Sequence, residues 1–342
     1  MNDKPVRRDA GNVRPARPRA NTEGTAVTQT RPPLPRRLLS SLTAIALACA
    51  ILTSPAQSRE LLDSKESLYN NIYVFKEDNL VSMTFGFNRN IFTESIFNTQ
   101  DDRDLPVVYT RFMTASLMYP KQIHSILEIG FGGGRTSWYL HRFLPNVSIT
   151  SVELDQAVID LAHEYFGIKD ETNYRTINSD GRIFLSNSKD HYDIILVDAY
   201  RGPFVPFHLL TKEFYQIVKD HLTEGGVMAQ NVEPSTMLFD SAVKTMHAVF
   251  PQIDFYTAEG NIVTVGYDGP EQSDADLDAT AAKRQDEFHL RYDLHTMLSA
   301  RKRLAANPDA ISPTAKLLTD DFSPVESLKA IQAHNRKWSD QK

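Results

Sequence analysis

Four glycines fall within the five residues Gly130–Gly134, inside the stretch HSILEIGFGGGRTSWYLHRFLP. An apolar, β-rich run opens into them and an amphipathic run leaves them. A strand ending in such a turn presents its carboxyl edge to a crevice, the place where open α/β sheets take their ligands. Glycine lets backbone and ligand approach closely, and the helix that follows offers unpaired N–H groups. The pattern continues downstream: SITSVEL, YRTINS, YDIILVDAY and GGVMAQNV read as strands, separated by the helical runs DQAVIDLAHEYFG, DGRIFLSNS and TKEFYQIVKDHL. Strand and helix in alternation predict a parallel sheet covered on both faces. MLFDSAVKTMHAVF then predicts a helix, and IDFYTAEGNIVTVGYD a closing hairpin turned at Glu259-Gly260-Asn261.

Upstream, Tyr73/Phe75 and Val81/Met83/Phe85 have strand spacing around the polar turn KEDN, which predicts a small antiparallel sheet over residues 59–105. The main α/β domain is expected over 106–268. Beyond it, EQSDADLDATAAKRQDEF reads as an exposed charged stretch and HLRYDLHTMLSARKRLAA as helical, within a helical extension over 269–342 that ends in a short helix after LTDDF.

Charge is placed unevenly. Residues 1–58 hold nine Lys/Arg against three Asp/Glu, a net of +6, which leaves −12 for residues 59–342 of a chain whose total is −6. An acidic body argues against nucleic acid as a partner and favours cationic small molecules. Residues 1–37 read as a basic, Pro/Arg-rich disordered tail. Leu38–Leu52 is an apolar run followed by small residues at Ala56 and Ser58, the order of a secretory signal. The expectation for 38–58 is a signal peptide or an uncleaved anchor, with membrane contact confined to 38–52 and the body exported or held at the inner membrane; the alternative is a cytoplasmic protein. Cys49, the single cysteine, lies in that run, so the body has no thiol for a disulfide.

The glycine spacing narrows the ligand. A dinucleotide turn, G-x-G-x-x-G counted from Gly130, needs glycine at 135, where Arg135 stands. The spacing Glu128-x-Gly130-x-Gly132-x-Gly134 instead resembles the class I fold that binds S-adenosylmethionine and its relatives. Glu153 closes the second strand, where an acid commonly takes both ribose hydroxyls. A carboxylate suits that task because it accepts two hydrogen bonds at once. Asp180 and Gly181 follow the third strand, on the adenine side.

Three stretches carry a more specific resemblance, spanning most of residues 64–268. ESLYNNIYV, DDRDLPVVYTRFM and VDAYRGPFVPFHLLTKEFY are similar to the corresponding motifs of the aminopropyltransferases, the spermidine synthases, and VPFHLLTKEFY with LTDDFSPVE looks like a bacterial spermidine synthase-like branch. The resemblance implies a Rossmann-like, methyltransferase-type fold with a β-rich N-terminal piece through which such proteins often form homodimers. It implies a polyamine-biosynthetic transferase that moves an aminopropyl group from decarboxylated S-adenosylmethionine, a cosubstrate and not a resident cofactor, to an amine such as putrescine, with no metal. Asp198 matches the first Asp of the family's D-x-x-D loop and would deprotonate or orient the amine; Tyr109 matches the tyrosine beside it. Asn70, Gly130, Gly132, Gly134, Glu153, Asp180 and Gly181 would hold the donor.

The chain also departs from the family. Arg201 replaces the second Asp of D-x-x-D, Gly133 the Asp of the glycine turn, Thr110 a His or Gln, and Arg111 a Glu. An arginine beside an ammonium in low dielectric is costly, so replacement acids are sought among Glu94, Asp101, Asp102, Asp104, Asp320 and Asp321. Two other readings stand beside the transferase: a methyltransferase using S-adenosylmethionine, with Arg135 or Arg201 meeting its carboxylate, and a non-catalytic ligand-binding module on the same fold.

Overall fold

The computed structural model describes residues 59–87, 90–202, 204–236 and 238–322. The basic tail, the signal or anchor segment and the short helix expected after LTDDF lie outside them.

Strands β1 (Glu60–Glu66), β2 (Asn71–Glu77), β3 (Leu80–Phe87) and β4 (Asn90–Asn98) form an antiparallel sheet in chain order. The KEDN segment turns β2 into β3, with Asp78 at a φ of 53°. Ile72 and Val74 pair with Phe85 and Met83, and these four side chains form the buried face. Tyr73 and Phe75 lie half-buried on the opposite face, ring centroids 6.2 Å apart. A loop leads to α1 (Val108–Met113), which tightens into a 3-10 turn at Thr114–Met118.

The alternating region follows as β5 (Ser125–Ile129), α2 (Arg135–Phe143), β6 (Ser148–Glu153), α3 (Gln156–Tyr165), β7 (Tyr174–Asn178), α4 (Gly181–Asn187), β8 (Tyr192–Val197), α5 (Lys212–Asp220), β9 (Leu222–Val232) and α6 (Phe239–His247). The hairpin of β10 (Gln252–Ala258) and β11 (Asn261–Tyr267) closes it. Side chains cap the helices where the sequence places Asp or Thr: Asp155 accepts from the Ala157 N–H, Asp180 from Ile183 and Thr211 from Phe214.

With the edge strand β12 (Arg301–Arg303), the sheet runs β12-β10-β11-β9-β8-β5-β6-β7, with β7, β6, β5, β8 and β9 parallel and β11 antiparallel to β9. The alternation predicts the parallel, doubly covered sheet, and the class I methyltransferase-like order is the one the resemblance implies. Every residue of β8 is buried, as a strand covered on both faces requires. Ile194 and Leu196 enter one apolar layer with Ile126, Tyr139 and Phe166; Ile195 and Val197 enter the other with Leu127, Phe214 and Phe250.

The C-terminal extension differs from its sequence reading. The charged stretch is helix α7 (Asp274–Phe288), capped by Ser273 and burying Leu277, Ala281 and Arg284. Three buried side chains in fifteen residues leave a charged face that conceals the apolar stripe. The run expected as one helix is helical only over α8 (Leu294–Leu298); Arg301–Arg303 is edge strand β12. The cause is electrostatic. Asp254 of β10 is buried, and Arg301 Nε donates to its Oδ2 at 2.8 Å. A buried carboxylate needs that partner, and the strand delivers it. Among the described residues no helix is long and apolar enough to cross a membrane.

Candidate active site

Four successive strand ends line one crevice, and a fifth reaches it through Asp198. The turn after β5 begins at Gly130, β6 ends at Glu153, Asp180 follows β7, Asp198 follows β8, and Asn231 stands near the end of β9. β5 is flanked by β6 on one side and β8 on the other, so connections leave in opposite directions and the crevice opens between them. Its cavity, about 420 Å³, is lined by Asn70, Gly130, Gly132, Glu153, Asp180 and Gly181, and also by Tyr109 and Asp198.

The glycines have distinct tasks. A Cβ on Gly130 would sit 2.4 Å from the Ala199 nitrogen, so this glycine lets the β8 loop lie against the turn. Gly132 has a φ of 51° and nothing within 4 Å of the place of a Cβ. Gly134 is a correction to the sequence reading: it does not line the cavity. It caps α2 in the left-handed region, where a Cβ would strike the Phe131 ring at 2.4 Å. Gly181 admits the Ile129 side chain.

Glu153 is held by backbone amides: Phe131 N–H donates to its Oε2 at 3.0 Å and Asp155 N–H to its Oε1 at 3.0 Å. Burial raises its pKa against those bonds. Asn70 reaches Asp155 at 3.5 Å, and Ser67 also donates to that carboxylate, which ties the β1–β2 turn to the start of α3. Asp180 has both oxygens engaged, one capping α4 and the other 3.0 Å from His208 Nε2, and the His208 contact holds its pKa below the usual range.

At the β8 end, Tyr109 Oη donates to Asp198 Oδ2 at 3.1 Å and Asn231 Nδ2 donates to Oδ1 at 2.9 Å. Asn261 donates in turn to Asn231 Oδ1 at 2.9 Å, and Tyr200 Oη to the Asn231 carbonyl at 3.0 Å. Burial pushes Asp198 up to about 7, with the Asn231 and Tyr109 bonds pulling the other way. Asn231, Tyr200 and His208 were not among the sequence candidates. For Asn231 a signal existed: the amide pair Gln230-Asn231 interrupts an apolar strand, and a polar pair buried there needs partners.

The two arginines feared in the amine pocket are placed apart. Arg111 does not line the cavity. Its Nε donates to the Leu105 carbonyl at 2.7 Å and its guanidinium lies over the Tyr292 ring, 4.6 Å from the centroid. Arg201 does line it, with an exposed side chain at the mouth. Arg135 is buried, its Nη atoms given to the Phe166 and Asp102 carbonyls. Glu128 lies beneath the turn, accepts from Ser151 at 2.8 Å and is pushed up to about 8 by burial. Among the described residues no group of His, Cys, Asp and Glu is arranged to hold a metal ion.

Five of the six replacement acids are outside the cavity. Asp101 pairs with Arg291, Asp102 with Arg142, Asp104 with Tyr292 and Arg291, and Asp320 with Arg182, while Asp321 does not reach the lining. Glu94 does reach it.

Fold and crevice together define a Rossmann-like α/β domain with a ligand cleft at the carboxyl edge of its parallel strands. Residues 107–263 match the spermine/spermidine synthase domain. The chain is 29% identical over 298 residues to a polyamine aminopropyltransferase of Vibrio vulnificus, covering 83% of this chain and 97% of that protein. A probable polyamine aminopropyl transferase of Bifidobacterium longum is 30% identical over 287 residues, covering 77% of this chain and 61% of that one. The fold matches the crystal structure of a probable spermidine synthase from Corynebacterium glutamicum with a TM-score of 0.60 at 18% identity, over 77% of this chain and 97% of that one. These matches support a spermidine synthase-like family for the chain.

Proposed function

We propose that the protein transfers an aminopropyl group from decarboxylated S-adenosylmethionine to a small amine such as putrescine. The observation that carries this is Asp198, a carboxylate fixed by Tyr109 and Asn231 at the reacting end of a cavity whose far end holds Glu153. Glu153 is the group for the ribose hydroxyls. Its orientation is set by the Phe131 and Asp155 amides, leaving its remaining lone pairs to accept from the sugar.

The sulfonium is already an activated leaving group. Transfer needs an amine with a free lone pair, aligned with the carbon–sulfur bond to be broken. Asp198 receives the proton from the ammonium; the nitrogen lone pair forms the new N–C bond; the C–S pair passes to sulfur, and neutral methylthioadenosine leaves. An acid near 7 is suited to take that proton near neutral pH.

The purified protein with decarboxylated S-adenosylmethionine and putrescine releases methylthioadenosine, whereas ordinary S-adenosylmethionine yields no methylated amine. Because burial raises Asp198, the base is protonated and idle below about 7, so kcat/KM rises with pH through about 7. Tyr109, Tyr200, Glu94 and Arg201 are the other titratable groups at that end of the cavity. A flat profile between pH 5.5 and 8 removes Asp198 from the role. Separately, Glu153→Ala weakens methylthioadenosine binding by ~1–3 kcal/mol in calorimetry, the cost of leaving the ribose hydroxyls without their acceptor. Unchanged affinity overturns the ribose assignment.

A further inference from the structure

Glu94 owes its place to an irregularity in β4. Ser95 pairs with Met83 and Thr93 with Thr84, so Glu94 is an extra residue opposite no partner, the centre of a β-bulge. Bulges re-aim a side chain, and they recur beside active sites. Here the bulged residue lines the cavity, and its Oε1 atom is buried with no hydrogen-bond partner. A buried carboxylate oxygen left without a donor is costly and calls for a cation.

The glycine turn cannot supply an acid in its stead. A Cβ on Gly133 would lie 2.5 Å from Ser95 Oγ and 2.7 Å from the Phe166 ring, so β4 fills the room that a longer side chain at 133 would need. The residue next to Ser95 is Glu94 itself. Bulge and glycine are therefore complementary: the acid missing from the turn arrives from the facing strand. Burial pushes Glu94 up to about 8, and the charges of Asp198 and then Glu153 add to this, which sets it within electrostatic reach of both ends of the donor site.

Resting on the transfer reading above, we infer that Glu94 receives the primary ammonium of the donor's aminopropyl chain and thereby selects a decarboxylated donor. The decarboxylated compound brings a second positive charge and no carboxylate. Ordinary S-adenosylmethionine would set its own carboxylate against Glu94 and Asp198, with Arg201 held at the mouth.

The test is Glu94→Gln in the full chain, titrated by calorimetry with decarboxylated S-adenosylmethionine, S-adenosylmethionine and methylthioadenosine. Methylthioadenosine lacks the ammonium and reports on the rest of the site. The expected result is methylthioadenosine affinity within about twofold of wild type and decarboxylated donor about 10- to 100-fold weaker, as for a lost charge-assisted bond. The preference between the two sulfonium donors shrinks by the same factor, and Glu94→Asp restores part of it. Unchanged affinity for the decarboxylated donor overturns the inference and leaves the transfer reading standing. Equal losses on donor and methylthioadenosine also overturn it, assigning Glu94 to the shape of the cavity. Wild-type protein that binds none of the three overturns both readings.

Discussion

Asp198→Asn lowers kcat for aminopropyl transfer by about 10³-fold, in the range of a lost general base, while methylthioadenosine affinity stays within about twofold. The substitution is conservative in shape and hydrogen bonding. Oδ1 still accepts from Asn231, and the new amide faces Tyr109 Oη, a hydroxyl that accepts as readily as it donates. What disappears is the site for the proton, and with it the rise in kcat/KM through about 7. Single-turnover measurements separate this from a binding defect: an interaction made only on the way to the transition state lowers kcat and kcat/KM alike. A variant that retains more than a tenth of wild-type turnover would show that the amine arrives already neutral and that Asp198 only orients it.

The parts of this site that sequence reveals are those fixed by periodicity. Gly130, Glu153, Asp180 and Asp198 stand at the ends of successive parallel strands, and strand ends follow from the alternation of apolar runs with helices. Side-chain direction is less legible. Arg111 and Thr110 are neighbours on α1, yet Thr110 lines the cavity and Arg111 packs on Tyr292, because adjacent helical residues lie on different faces. Glu94 is one of the six acids sought from the sequence, but its direction is hidden for a different reason. A bulge breaks the period of two, so the alternation of β4 gives no sign that an acid turns inward. Arg301 depends on Asp254, forty-seven residues earlier, and no local pattern predicts a long-range neutralisation.

Gly130→Ala destabilises the protein by ~3 kcal/mol or more, whereas the same change two residues on, Gly132→Ala, costs only ~1–2 kcal/mol. Both glycines have positive φ, 88° and 51°, so the substitutions share a penalty for placing a Cβ in that region. They differ in what the Cβ meets. At 132 it enters open space; at 130 it lies 2.4 Å from the Ala199 nitrogen and 2.6 Å from the Asp198 carbonyl carbon. Those atoms cannot withdraw cheaply. Asp198 N–H donates to the Ile129 carbonyl at 2.8 Å, and Gly130 N–H to the Val152 carbonyl at 2.9 Å, so relief of the clash breaks the sheet at its central strands. Thermal unfolding of Gly130→Ala is expected roughly 5 °C below wild type, since an unfolding entropy of about 2.1 cal/mol/K per residue gives a slope of a little under ~2 °C per kcal/mol for a folded body this large. Gly132→Ala is expected to fold and to lose methylthioadenosine binding, since the methyl group would enter the cavity assigned to the nucleoside under the proposed function. Equal melting temperatures for the two variants would mean that the turn and the β8 loop are not in contact, and Asp198 would lose the backbone anchor that aims it into the cavity.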